Sequence, residues 1–131
     1  MPGGAPNMRP TRVFGGGRIV SISSLGSVRV LPSYGAIGVS KAALESTTRY
    51  LASELAPRGI RVNAVVGGLL DTEASRLHPD FDGLAREAKA RTPIGRLMTT
   101  SDIADAVLFL CSPLSQGIVG QMLVVDGGAA L

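Results

Sequence analysis

Tyr34 and Lys41 stand seven residues apart in the stretch YGAIGVSKAALESTTRYLASEL. On an α-helix that spacing is two turns, about 10 Å along the axis, and it returns both side chains to nearly one face. A phenol and an ammonium sharing a face are where chemistry, if the chain performs any, is expected to begin. The face reads Tyr34, Ile37, Lys41, Leu44, Thr48, Leu51 and Leu55, at steps of three and four. A lysine on such a stripe costs desolvation unless a polar group meets it, and departures of this kind concentrate at functional sites. The helix alone leaves a second reading open, in which Lys41 runs its aliphatic stem along the stripe and releases its charge to solvent.

Two more hydroxyls precede the pair. Residues 18–23, RIVSIS, contain Ile19, Val20 and Ile22 and end in small polar residues, the pattern of a strand buried in a parallel sheet. Ser23 and Ser24 then fall at the C-terminal end of that strand, the edge where open α/β sheets bind ligands; the alternative is a serine that only forms a turn.

The remaining elements position these groups. Pro57 and Gly59 end the helix, and residues 60–66, IRVNAVV, give a second strand that runs into Gly67 and Gly68. Strand, helix and strand in this order make a βαβ unit, with parallel strands and a right-handed crossover expected. Residues 69–98 are long and weakly patterned, with a short helix expected over 82–90 and a stop at Pro93. Beside a sheet's C-terminal edge such a stretch reads either as a lid over a ligand or as a tolerated surface loop. Thr99 with Asp102 matches a capping box opening DIADAVLFLC, Pro113 closes that helix, and residues 122–125 supply a third strand that turns out through Asp126, Gly127 and Gly128.

Composition narrows the class. The 131 residues, 45% hydrophobic and 18% charged, suit one packed domain. Residues 1–17, rich in proline and glycine, read as a flexible tail; Gly15, Gly16 and Gly17 precede a strand instead of following one, so they are no dinucleotide fingerprint. The net charge of +3 comes from scattered Lys and Arg with no run of five, which argues against a nucleic-acid partner. The lone Cys111 excludes an internal disulfide and a cysteine-based metal site, and within IADAVLFLC it is expected to be a buried thiol. His78, beside Pro79 and without a second histidine, is expected to be exposed and uninvolved, and no metal site is expected. Neither a signal peptide nor a membrane span is supported, so the cytoplasm is the expected compartment.

Residues 17–128 closely resemble the C-terminal half of the short-chain dehydrogenase/reductase family. GRIVSISS, the Tyr and Lys helix, RVNAVVGGLLDT, TPIGRLMTTSDIADAVLFL and GQMLVVDGG follow one another in the family's order. The resemblance implies an α/β fold over residues 18–131: the C-terminal half of a doubly wound, Rossmann-like parallel sheet of about three strands with crossover helices, the N-terminal nucleotide-binding half missing. It also implies NAD(H) or NADP(H) as cofactor. Most members place Tyr four residues before Lys; here that position is Ile37, and the Tyr-x6-Lys spacing with SSLG after the strand is similar to the enoyl-acyl-carrier-protein reductases of the family.

A geometric reason accompanies the shift. Ketone reduction puts hydride and proton on adjacent atoms. Reduction of an enoyl thioester puts hydride on Cβ while charge develops on the thioester oxygen, three bonds away. Moving the tyrosine back three helical residues displaces it by about 4.5 Å, in keeping with a more distant oxyanion.

By resemblance, Tyr34 would hydrogen-bond or protonate the enolate oxygen, Lys41 would supply the cation and hold the nicotinamide ribose, and Ser24 matches the family's active-site serine. Gly68, Leu70 and Thr72 match cofactor-side positions, the last two at the nicotinamide carboxamide, and residues 69–98 would be the substrate lid. The substrate would be an acyl thioester of acyl carrier protein or CoA, as in fatty acid synthesis, and the partners a second copy or a full-length subunit, with neither nucleic acid nor membrane involved. A strand followed by a Gly-x-x-x-Gly-x-Gly turn is missing from the sequence, so dinucleotide binding and turnover by this chain alone are expected to be weak or absent. The first strand is also expected to leave an unpaired edge. Two alternatives stand beside this reading: a carbonyl or alcohol dehydrogenase of the same family, and a non-catalytic module that joins full-length subunits.

Overall fold

The computed structural model describes residues 16–131, so positions 1–15 of the expected tail lie outside the described residues. Strands β1 (Arg18–Ser24), β2 (Arg61–Gly67) and β3 (Met122–Val125) form one parallel sheet in the order β1-β2-β3. The chain is α/β, as the pattern of short apolar strands and intervening helical periods predicts. The sheet begins one step before β1, where the Gly17 carbonyl accepts the Arg61 N–H at 3.0 Å. Among the described residues β1 pairs with β2 alone and so carries a free edge.

Helix α1 (Gly35–Leu55) connects β1 to β2, and α4 (Thr100–Cys111) precedes β3. Thr48 and Glu45 of α1 bond Ser21 and Ser23 of β1, whereas α4 packs on Val20, Val65, Leu123 and Val125. Side chains alternate across a strand, so the two helices cover opposite faces of the sheet. That is why every residue of β2 is buried. The expectation of a buried first strand is corrected: in β1 only Ser23 is buried, and Ile19 and Ile22 are 42% and 44% exposed, because a strand at the sheet edge lacks a neighbour on one side.

The stripe expected on α1 is also corrected. Its buried members are Gly38, Glu45, Thr48 and Ala52, while Ile37 and Leu51 turn outward. Small residues on the inner face let the helix approach the sheet closely, and the bulky aliphatics of the same period lie beyond the contact. Cys111 is likewise exposed, not buried. It follows Leu110, which faces the core at 1% exposure, and a helix rotates by about 100° per residue.

Both ends of α4 are built from side chains. Thr99 and Asp102 form the expected capping box, with Thr99 Oγ1 accepting the Asp102 N–H at 3.2 Å and Asp102 Oδ2 accepting the Thr99 N–H at 2.7 Å. At the other end the buried Arg61 guanidinium donates to the Leu110, Ser112 and Ile118 carbonyls at 3.0, 3.3 and 3.2 Å. Between β2 and α4 the chain makes an excursion closed at its base by a bridge between Leu70 and Met98. It holds α2 (Glu73–Arg76), which sequence reasoning missed, and α3 (Phe81–Arg91), which includes the helix expected over 82–90. No helix of the described residues is long and apolar enough to cross a membrane.

Candidate active site

The sequence-selected residues gather at the C-terminal edge of the sheet. Ser24 ends β1 and caps the 3-10 turn Leu25–Ser27, its Oγ accepting the Gly26 N–H at 3.2 Å. The chain then reaches Tyr34 through Ser33, the one non-glycine residue with positive φ (58°) among the described residues. A serine in that conformation carries strain of about 1 kcal/mol or more, placed immediately before the tyrosine.

Tyr34 occupies the N-cap position of α1 and is half-buried. Its ring lies over Gly26 so closely that a Cβ there would stand 2.4 Å from two ring carbons. Gly38, one turn into the helix, meets the Gly26 carbonyl; a Cβ on Gly38 would come within 2.6 Å of that oxygen. Two glycines thus provide a thin backbone floor for the phenol. A shallow cleft of ≈ 220 Å³ opens beside it, with Gly26, Arg29, Leu31, Tyr34 and Val39 in its wall.

Lys41 lies two turns further on. Its Nζ donates to the Ile22 carbonyl at 2.9 Å through an exposed bond, so the charge meets a strand carbonyl near the sheet edge while keeping contact with solvent. Glu45, one turn beyond, accepts the Ser23 hydroxyl at 2.5 Å, with both residues buried.

The second group comes from the end of β2. Ser24 and Gly67 are register partners on neighbouring strands, so Gly68 emerges beside Ser24. A Cβ on Gly68 would lie 3.3 Å from Asp126 Cβ, so the two strand ends approach closely here. Leu70 belongs to the bridge with Met98, and its carbonyl accepts the Ser75 hydroxyl at 2.7 Å. Thr72 is the N-cap of α2; its Oγ1 accepts the Ser75 N–H at 3.2 Å and donates to Ser75 Oγ at 3.1 Å. Ser24, Gly68, Leu70 and Thr72 therefore share the edge with Tyr34 and Lys41, but the Thr72 hydroxyl is engaged in its own helix cap.

Several contributors escaped the sequence reading. Asp126 accepts the Gly128 and Ala130 N–H groups at 2.9 and 2.8 Å and folds the C-terminal turn. Arg29 reaches that turn from the loop before Tyr34, donating to the Ala129 carbonyl at 2.9 Å. Nothing in the sequence signals a contact spanning so many residues. Glu45 had a signal, a carboxylate four residues after Lys41 on the inner face. His78 is corrected as well: it is half-buried, and its Nδ1 accepts the Asp80 N–H at 3.1 Å, so it shapes the turn into α3.

A parallel sheet whose C-terminal edge carries a tyrosine and a lysine from one crossover helix defines the short-chain dehydrogenase/reductase class. More narrowly, the chain belongs to the enoyl-(acyl carrier protein) reductase family, whose model matches residues 4–130. It is 40% identical over 116 residues to the NADH enoyl-acyl-carrier-protein reductase FabI of Escherichia coli, covering 88% of this chain and 44% of that protein. It is 45% identical over 118 residues to 1-cyclohexenylcarbonyl-CoA reductase of Streptomyces collinus, covering 88% and 42%. Among solved structures, the Bacillus cereus enoyl-acyl carrier protein reductase with NADP+ and indole naphthyridinone superposes with a TM-score of 0.84 at 38% identity, over 88% of this chain and 46% of that one. The chain thus spans less than half the length of these relatives.

Proposed function

We propose that this chain is the substrate-side half of an NAD(P)H-dependent reductase of enoyl thioesters carried on acyl carrier protein or CoA. The observation that carries the reading is the placement of Lys41 on the Ile22 carbonyl, with Tyr34 two turns earlier at the same sheet edge. The names of two relatives support it, since both describe α,β-unsaturated acyl thioesters.

The residues present suit the nicotinamide end of a dinucleotide. Gly68 keeps the backbone bare at the end of β2, where a Cβ would crowd Asp126, and Lys41 stands at the sheet edge with an ammonium. The glycine-rich pyrophosphate turn is absent from these 131 residues, so turnover requires that unit from outside them. When bound, the reduced nicotinamide supplies hydride to Cβ of the substrate.

This chain's residues do the rest. Tyr34 hydrogen-bonds the thioester oxygen on which enolate charge develops and donates its proton there. Lys41 orients the ribose and favours that donation by its positive charge. Ser24 adds a hydroxyl at the β1 end, Gly68 and the Leu70 and Thr72 backbone border the carboxamide, and residues 69–98 cover the acyl chain. The Tyr-x6-Lys spacing suits an oxyanion three bonds from the hydride acceptor. The exposed Ile37, Val39, Tyr50 and Leu51 of α1 supply an apolar surface for association with a second copy or a full-length subunit, in the cytoplasm.

The test is NAD(P)H oxidation by a reductase containing this segment together with a glycine-rich half. An enoyl thioester should be reduced and Tyr34→Phe should lose that activity. Turnover of a β-ketoacyl thioester alone would transfer the assignment to carbonyl reduction.

A further inference from the structure

The roles assigned above leave the buried Glu45 unused. Glu45 is 6% exposed, Ser23 is 5% exposed, and the serine hydroxyl donates to Glu45 Oε1 at 2.5 Å. A carboxyl group taken from water into a helix–sheet contact loses solvation that a leucine there would not lose, so the pair needs a reason other than filling space. Its location supplies one. Glu45 lies four residues after Lys41 on α1, and Ser23 directly follows Ile22, whose carbonyl receives the Lys41 ammonium at 2.9 Å. Successive turns of the helix are thereby fastened to successive residues of the strand.

The rest of this contact fixes the helix along its axis less firmly. Apart from Glu45, its buried members on α1 are Gly38, Thr48 and Ala52, of which Thr48 reaches the strand only through a long 3.4 Å bond to Ser21, and the larger Ile37 and Leu51 face away. Small side chains permit close approach but offer few knobs that resist sliding or rotation. A slip of one residue turns the helix by about 100° and would carry Lys41 off the sheet edge.

We propose that Glu45 is a positioning residue: through its buried hydrogen bond with Ser23 it sets the register of α1 on β1 and so keeps the Lys41 ammonium at the Ile22 carbonyl. The importance of that placement rests on the reading of Lys41 as the working cation, but the placement itself can be measured without turnover.

The chain contains two lysines, Lys41 and the exposed Lys89, so one is the reporter and the other an internal reference. Limited amine acetylation of the chain, read by peptide mass spectrometry, gives the ratio of their rates. In the native chain Lys41 should react more slowly than Lys89. Ser23→Ala and Glu45→Ala should raise the Lys41 rate relative to Lys89 by about tenfold with an unchanged far-ultraviolet spectrum. Glu45→Gln keeps an oxygen able to accept from Ser23 and should retain the native ratio. A native ratio in the folded alanine variants, or a ratio in Glu45→Gln as high as in Glu45→Ala, would overturn the proposal. Should Glu45→Ala not fold, Ser23→Ala, which removes one hydroxyl, carries the test. Failure of enoyl reduction leaves this ratio unaffected, so the two readings stand or fall separately.

Discussion

Lys41 Nζ lies 2.9 Å from the carbonyl oxygen of Ile22, and this bond joins the second turn of α1 to the C-terminal part of β1. The ammonium keeps some contact with solvent, so the bond adds little to folding. Lys41→Met retains most of the aliphatic stem and should lower stability by about 1 kcal/mol or less. Under the proposed roles, activity of a reductase completed by the missing half should instead fall by about a hundredfold or more, because the variant removes the cation proposed to favour proton donation by Tyr34. Lys41→Arg should not restore it, since a planar guanidinium cannot take the place of a compact ammonium. Thermal unfolding and NAD(P)H oxidation, measured on the same variants, check the split; full activity in Lys41→Met would remove Lys41 from the site.

Gly38 gives a prediction in which two effects oppose each other. Alanine is the better helix former by about 1 kcal/mol. A Cβ at Gly38, however, would stand 2.6 Å from the Gly26 carbonyl oxygen, a backbone atom that can yield only by moving the whole 3-10 turn under Tyr34. Overpacking of this kind costs about 1–3 kcal/mol, so Gly38→Ala should destabilise the chain despite its propensity. Gly35, where a Cβ would meet nothing within 4 Å, is the control and should be neutral or stabilised as alanine. Urea unfolding of the two variants decides the matter; equal midpoints would mean that the turn and helix are not packed as described.

The strands, the long helix and the capping box at Thr99 were legible because each depends on short-range pattern: apolar runs bounded by Gly or Pro, and a Thr with Asp three residues later. The inner face of α1 was misread for a physical reason. Hydrophobic periodicity identifies a stripe, but close packing on a sheet selects for size, so Gly38 and Ala52 faced inward while Ile37 and Leu51 did not. Cys111 was misjudged because an all-apolar run such as AVLFLC does not reveal which side of the helix meets the sheet. The Arg29 bond to Ala129 and the Ser33 conformation depend on tertiary closure, and no local residue pattern encodes either.

Arg61 shows how a charge in an apolar run stabilises a helix end. It begins the fully buried β2, and its guanidinium donates to the carbonyls of Leu110, Ser112 and Ile118, which also accept from Ser115 and Asn63, so that it ties the end of α4 and the segment after it to the sheet. Burial, and then the charge of Arg18, push its pKa below the ordinary arginine value, yet the starting point is high enough that it stays protonated near neutrality. Arg61→Met should lower stability by about 2–4 kcal/mol, and Arg61→Lys should recover little, because one ammonium cannot span three separated carbonyls. Amide hydrogen exchange localises the effect: protection in the last turn of α4 should fall first. Uniform loss across the sheet would instead mean that Arg61 stabilises β2 itself.

At the opposite end of α4, Asp102 receives Arg96 through two bonds, at 2.7 and 3.0 Å, and also accepts the Thr99 N–H at 2.7 Å. The guanidinium first, and the Thr99 amide second, hold the Asp102 carboxyl well below the usual carboxylate range. A folded-state pKa below the unfolded one means that the unfolded chain takes up the proton more readily. The resulting stability is therefore complete above the unfolded pKa and is lost as pH falls through the folded one. Asp102→Asn, which abolishes the charge, provides the comparison. The stability difference between the native chain and this variant should be constant above about pH 5 and should shrink as pH falls below about 4. Because Arg96 is half exposed, added salt should also reduce the difference. Thermal unfolding of both chains across pH 2–7 checks the sign; a difference that grew on acidification would show that the carboxyl is stabilised in its protonated form.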